Sequence, residues 1–223
     1  VATSLAVPLL VGAALGNVIR GVPLGAAGWF ELPLFGSFLL EGEPGALDWY
    51  SLLVGALVLV TLVAHGANWL VWKTDGAVQR RARIARRAWL AVLVLWLLAS
   101  VATFVVAPQF FQVFPSRPLA WVGLGLTFGG LGAVAWGTRR AAELPAFLGG
   151  AAFIAGLLVT TAACAFPVLL PSRVDPRWSL TVANSSEAGA GAGLGWWVPA
   201  LLIAVGYFAW VMHHFRGKAS SEP

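Results

Sequence analysis

The sequence predicts an all-α fold, a polytopic transmembrane helix bundle of about six spans forming one membrane-embedded domain over residues 1–223. Three observations predict it. Apolar runs of about 20 residues recur along the chain, the length a helix needs to cross a hydrocarbon core about 30 Å thick. Hydrophobic residues make up 59% of the sequence and charged residues 10%, with a mean hydropathy of +0.83; a water-soluble domain carries roughly 25% charged residues. There are twelve Trp, many at the ends of the runs, where interfacial aromatics sit. A transmembrane β-barrel would show alternating segments of about ten residues, and none appear.

The first span is Val1–Ile19. It begins inside an apolar stretch without a starter Met, a basic n-region or a cleavage site, so it does not read as a signal peptide. It reads as the back part of a longer polypeptide. The string Gly16-Asn17-Val18-Ile19-Arg20-Gly21-Val22-Pro23 ends the span. Gly tolerates φ > 0 and Pro fixes its own φ while removing a donor, so Gly16, Asn17, Gly21, Val22 and Pro23 are expected to form a structural turn. Asn17 is suited to satisfy carbonyls left open at the helix end. The turn-rich stretch Arg20–Asp48 follows; its apolar middle, Leu32–Leu40, is too short to span and is expected at the interface.

The second span runs from Trp49 to Trp72, the third from Ala88 to Ala107, the fourth from Leu119 to Gly137 and the fifth from Leu144 to Leu170. The Gly-rich run Gly189–Gly195 has no preceding strand and no following Lys-Ser/Thr, which excludes a phosphate loop and reads as a flexible linker. The sixth span covers Trp196–Phe215, and residues 216–223 form a polar tail.

Charge supplies the orientation. Lys73, Arg80, Arg81, Arg83, Arg86 and Arg87 fill the segment after the second span, and Arg139, Arg140, Arg216 and Lys218 fall on the same side. Arg20, Arg117, Arg173 and Arg177 fall on the other. The positive-inside rule puts the basic loop and the C-terminus in the cytoplasm, with the Gly-Val-Pro turn and the Ser172–Gly195 loop outside. The formal net charge of +5 is thus spent on topology, and no nucleic-acid partner is expected.

Few residues are candidates for chemistry. His65, well inside the second span with Asn68 one turn later, is the one intramembrane candidate; packing between helices beside Gly66 competes with a polar or proton-path role and with haem ligation. Adjacent His213 and His214 point to different helix faces and are expected at the interface, with Met212, the single Met, in the core. Glu31, Glu41, Glu43 and Asp48 read as solvated loop acids, proton hand-off being the alternative. Asn184-Ser185-Ser186 matches a glycosylation acceptor by composition only. The lone Cys164 excludes an intrachain disulfide and a Cys-rich metal centre, and reads as a small apolar residue in a helix.

Four strings in order resemble subunit II of the cytochrome bd-type quinol oxidases. They are Gly16-Asn17 through Gly21-Val22-Pro23; His65-Gly66-Ala67-Asn68-Trp69-Leu70 through Lys73-Thr74-Asp75-Gly76 to Arg80-Arg81-Ala82; Phe166-Pro167 through Leu170-Pro171-Ser172, then Ser179-Leu180-Thr181 and Asn184-Ser185-Ser186; and a last span with Pro199 and Tyr207. The match covers nearly the whole chain. The resemblance implies nine spans, in four-helix bundles plus a peripheral helix, of which these would be the last six. It implies a bacterial plasma-membrane heterodimer with subunit I, which holds haem b, haem d and the quinol-oxidising loop, with a small third subunit and bound quinone as further options. The resemblance further implies that electrons pass from quinol to O₂, that water forms and that a proton gradient results. No catalytic, haem or metal residue of the family carries over onto a position here, and the acids linked to its proton or oxygen paths lie in early helices. From another class, a polytopic transporter or permease competes; the lack of mid-span acids and of a visible inverted repeat weighs against it. A b-type cytochrome is disfavoured by the shortage of paired ligands.

Overall fold

A computed structural model describes residues 2–38, 44–185 and 190–219, with side chains omitted over 190–194. Within them six helices are long and apolar enough to cross a membrane. The first is α1 (Ala2–Arg20). Next come α2 (Trp49–Lys73), α3 (Gly76–Ala85), α4 (Trp89–Val106) and the short α5 (Gln109–Val113). The rest are α6 (Pro118–Arg139), α7 (Glu143–Ala165) and α8 (Ala190–His214). Strands β1 (Val168–Leu170) and β2 (Leu180–Thr181) pair antiparallel in the loop between α7 and α8.

Helices α1 and α2 pack as an antiparallel pair in which backbones nearly touch. A Cβ at Gly12 would lie 2.7 Å from Gly55 Cα, and one at Gly55 would lie 2.6 Å from the Leu9 carbonyl oxygen. The α6–α7 pair repeats the device: Gly123, Thr127, Gly130, Val134 and Gly137 form the buried stripe of α6, at the i, i+3, i+4 spacing of one face. A Cβ at Gly130 would come within 2.6 Å of Gly149 O. Lipid is as apolar as Leu, so such contacts, and not exclusion of water, hold membrane helices together. Between the pairs lies an apolar core of Leu57, Ala64, Trp89, Val92, Val134 and Phe153. Helix α8 stands apart: residues 195–210 are all exposed.

Contacts assign each helix end to one of two ends of the bundle. The end of α1, the start of α2, the end of α4 and the loop after α7 meet at one, called here the turn end. The end of α2, α3, the start of α7 and the tail after α8 meet at the other, the basic end.

Four expectations are corrected. The fifth span stops at Ala165 and Val168–Leu170 is a strand, because Pro167 offers no donor and Phe166 before it is pushed to an extended backbone. Residues 190–195 are helical, not linker: Ala is the best helix former and the apolar span propagates back through it. Gly189 lies outside the described residues. The basic segment after the second span holds the helix α3. Gly66 has open space where a Cβ would be, so the close helix approaches fall at other glycines.

Candidate functional site

At the turn end, α1 closes with Asn17 and Arg20, both buried. Asn17 Nδ2 donates to Ala13 O at 3.1 Å and to Ala46 O at 2.9 Å, tying its own helix end to the approach of α2. Its Oδ1 accepts from Arg20 Nη2, while Arg20 Nη1 pairs with Asp48 Oδ2 and Nη2 also donates to Gly45 O. Asp48 is the N-cap of α2: its carboxylate accepts from Tyr50 N and Ser51 N, and Ser51 Oγ accepts from Asp48 N at 2.9 Å. That is a reciprocal capping box. Tyr50, beside it, shares a 2.9 Å hydrogen bond between its hydroxyl and Thr103 Oγ1 on α4.

Asp48 is only 1% exposed, which corrects its reading as a solvated acid. Burial pushes its carboxyl up, but the Ser51 backbone N–H and the hydrogen bond and charge of Arg20 together outweigh that and hold it below the usual carboxylate value. The pairing of Arg20 with Asp48 was not anticipated from the sequence. Its signals are present: an Arg three residues after an Asn at a helix end, and Asp48-x-x-Ser51 just before an apolar run. Glu31 is exposed, and Glu41 and Glu43 lie outside the described residues.

The turn itself is locked from far along the chain. Gly21 has φ +90°, and a Cβ there would lie 2.6 Å from Pro171 O. Val22, 3% exposed, donates its N–H to Pro171 O and accepts from Arg173 N, each at 3.0 Å. Ser172 Oγ donates to Leu24 O at 2.7 Å, its N–H donates to Ser179 Oγ at 2.9 Å, and Asn184 Nδ2 donates to Ser179 O at 3.0 Å. Asn184 Oδ1 takes the Thr181 N–H, so this side chain is spent within its own loop; Ser186 lies outside the described residues. Pro23 follows at the edge of the knot, half-buried, and Gly16 presses on Ser51 and Val54 of α2. Two strings 148 residues apart in sequence thus form one structural knot.

His65 lies deeper. Its ring stacks on Phe147 at 4.7 Å between centroids, and a Cβ on Gly150 would lie 2.6 Å from its Nδ1 and 2.9 Å from the Trp89 ring. That leaves no room for a macrocycle on this nitrogen. Asn68 Nδ2 donates to Ala146 O at 3.0 Å. Four buried polar atoms on this side of α2 have no hydrogen-bond partner among the described residues: Thr61 Oγ1, His65 Nδ1, Asn68 Oδ1 and Trp89 Nε1. Thr61, His65 and Asn68 follow the i, i+4, i+7 spacing of one helix face. This seam and the knot at the turn end do not share residues.

At the basic end His214 stacks on Trp210 at 5.4 Å, and His213 is exposed. Met212 is half-buried and lines a cleft instead of sitting in the core, because α8 meets α2 and α7 only across that opening. Among the described residues no group of three His, Cys, Asp or Glu converges to hold a metal ion.

These strings are also where the chain can be compared with known proteins. Residues 1–215 match the family described as cytochrome bd terminal oxidase subunit II. Among similar proteins, the probable cytochrome oxidase subunit 2 of Haemophilus influenzae is 29% identical over 97% of this chain and 64% of its own length. The cytochrome bd-I ubiquinol oxidase subunit 2 of Escherichia coli K12 is 24% identical over 96% of this chain and 63% of its own length. The chain therefore spans a little under two thirds of the curated relatives it matches. A family match over nearly the whole chain, on a six-span helical bundle, assigns it: the chain belongs to the cytochrome bd terminal oxidase subunit II family.

Proposed function

We propose that this chain serves as the non-haem-bearing subunit II of a quinol:O₂ oxidoreductase in a bacterial plasma membrane, paired with a haem-bearing subunit I, and that it supports the chemistry without performing it. The observation that carries this reading is the knot at the turn end. Two of the four family strings meet there in backbone hydrogen bonds, a capping box and a buried ion pair, and Asn17, Arg20, Asp48, Ser51, Ser172 and Ser179 are all buried. Such a site holds helices in place; it offers no nucleophile or general base to a substrate. Haem b and haem d belong to subunit I on this reading, and quinol is oxidised there, with the basic end of this chain in the cytoplasm.

The test is co-expression of the full-length subunit with its partner, compared with either alone. The pair is expected to purify together with chlorin and b-haem bands and quinol-dependent oxygen uptake. Subunit II expressed alone is expected to be colourless and inactive; oxygen uptake by it without the partner would overturn the assignment.

A further inference from the structure

We infer that the basic end carries a binding site for one anionic phospholipid, its phosphate held by Lys73 and Arg216 in the cleft between α8 and the α2–α7 pair. The cleft has a volume of about 600 Å³ and is lined by Trp72, Lys73, Glu143, Met212, Arg216 and Lys218, among others. A second cleft of about 350 Å³ shares Lys73, Arg216 and Lys218 with it, so these three cations stand on the ridge between two openings.

Charge at this end is unbalanced in a particular way. Lys218 Nζ sits 2.7 Å from Glu143 Oε2 and 3.4 Å from Asp75 Oδ1, and Arg83 Nη2 sits 3.0 Å from Glu143 Oε1. Both carboxylates are thereby taken. Lys73 and Arg216 have no carboxylate partner among the described residues. Lys73 Nζ instead donates to Phe215 O at 3.2 Å and lies 4.3 Å over the Trp72 ring. Glu143 also lines the cleft, but Arg83 and Lys218 hold its two oxygens; the lysine and the arginine that face the same opening without a carboxylate of their own match a singly charged phosphodiester.

The cleft has the second half of a lipid site as well. It opens at the end of α2, where Trp69, Trp72 and Lys73 mark the membrane boundary, as Trp beside Lys does at headgroup level. Below it runs the face of α8, where Leu202, Val205 and Phe208 are all more than half exposed. An acyl chain supplies the apolar cover that the headgroup site places there. The tail is already strapped across the site, with Ala219 N donating to Lys73 O at 2.8 Å, so Arg216 is held near Lys73 before any lipid arrives. The inference rests on this end lying at a membrane surface and not on the redox activity of the complex.

The experiment uses the assembled oxidase, stripped of lipid in detergent and titrated with phosphatidylglycerol or phosphatidylcholine while bound lipid is counted by native mass spectrometry. Wild type is expected to retain one phosphatidylglycerol at least tenfold more tightly than phosphatidylcholine. The Lys73→Ala/Arg216→Ala variant is expected to lose that preference with haem content unchanged, while Arg80→Ala/Arg81→Ala, equally basic but outside the cleft, keeps it. Inorganic phosphate at millimolar concentration is expected not to compete. Equal retention in wild type and the cleft variant, equal affinity for the two lipids, or displacement by inorganic phosphate would each overturn the proposal. If the double variant fails to assemble, Arg216→Gln alone is expected to weaken phosphatidylglycerol retention severalfold, and unchanged retention there overturns it too.

Discussion

Asp48 pairs with Arg20 across 28 residues of chain and, with its other carboxylate oxygen, caps the helix that Arg20 packs against. One side chain therefore joins α1 to α2 and satisfies two backbone N–H groups at the start of α2. Removing it leaves a buried guanidinium without its counter-charge, and breaking a buried pair from one side costs about 3–5 kcal/mol, with about 1 kcal/mol more for the cap. Asp48→Ala is expected to lower the thermal midpoint of the purified complex sharply, and Asp48→Asn, which still caps, to lower it less. Arg20→Met with Asp48→Asn is expected to be milder than the sum of the two single changes. Additive losses in that cycle would show that the pair is not coupled.

The same carboxylate sets an acid limit. Its folded-state value lies below the ordinary one, so its contribution to stability is full above the unfolded value of about 3.9 and is lost as pH falls through the lower folded value. The stability advantage of wild type over Asp48→Asn is expected to be constant from pH 7 down to about pH 5 and to shrink as pH falls below the unfolded value of about 3.9. Midpoints measured from pH 3 to 7 check it; a gap constant across that range would contradict the assignment.

Lys218 gives the opposite sign. Its hydrogen bond to Glu143, less a small opposing cost of burial, and the charges of Glu143 and Asp75 raise it above the ordinary lysine value. The latch it forms is complete below the unfolded value of about 10.4 and is lost as pH rises through the higher folded value. Proteolysis of the C-terminal tail in the purified complex is expected to accelerate at strongly alkaline pH in wild type, and to be fast already at neutral pH in Lys218→Met.

Gly21 should tolerate no side chain. A positive φ costs a β-branched residue about 1–3 kcal/mol, and the Pro171 carbonyl occupies the space besides. Gly21→Val is expected to reduce assembly and haem content together, with the KM for quinol of whatever assembles unchanged. A fully assembled, haem-replete complex with a raised KM would place the turn at the substrate site instead.

For His65 the discriminating change is to Phe, which can keep the stack on Phe147 but removes both ring nitrogens. Quinol oxidation within about twofold of wild type, in a fully assembled complex, is the expected outcome. Loss of turnover at full haem content would make the seam of Thr61, His65 and Asn68 a proton path. Gly150→Val, by contrast, drives a methyl into His65 and Trp89 and is expected to lose assembly.

Orientation can be read separately. In a Cys164→Ser background, Ala77→Cys is expected to be silent and Val182→Cys to react with an impermeant thiol reagent on intact cells. The reverse pattern would invert the proposed topology.

The spans were legible because bilayer thickness imposes their length and because Lys and Arg mark their ends; the observed helices fall within a few residues of the expected ones except where Pro167 cuts α7 short and where α8 starts early, at Ala190. Helix α3 was hidden by its charge: five of the arginines between Gly76 and Arg87 read as a solvated loop, and only Ala82 is buried there. The knot was half legible. Gly21, Val22 and Pro23 announce a turn, yet its partner segment at Pro171 and Ser172 is set by tertiary contact, which no local pattern encodes. The identity of the glycines at close crossings was illegible for the same reason: Gly55 and Gly66 look alike in sequence, and only the neighbour of each distinguishes them.

The knot also imposes a schedule on biosynthesis. Arg20 and Asp48 emerge from the ribosome close together and can neutralise each other before the α1–α2 hairpin settles in the bilayer. The Gly-Val-Pro turn meets its other half only when Ser172 has been made, 148 residues after Leu24. At about 5–20 residues per second, the stretch from Asp48 to Ser172 takes roughly 6–25 s to translate. For that interval the mouth of the α1–α2 hairpin lacks its second half, and any insertase or protease in the membrane meets Gly21 before Pro171 does.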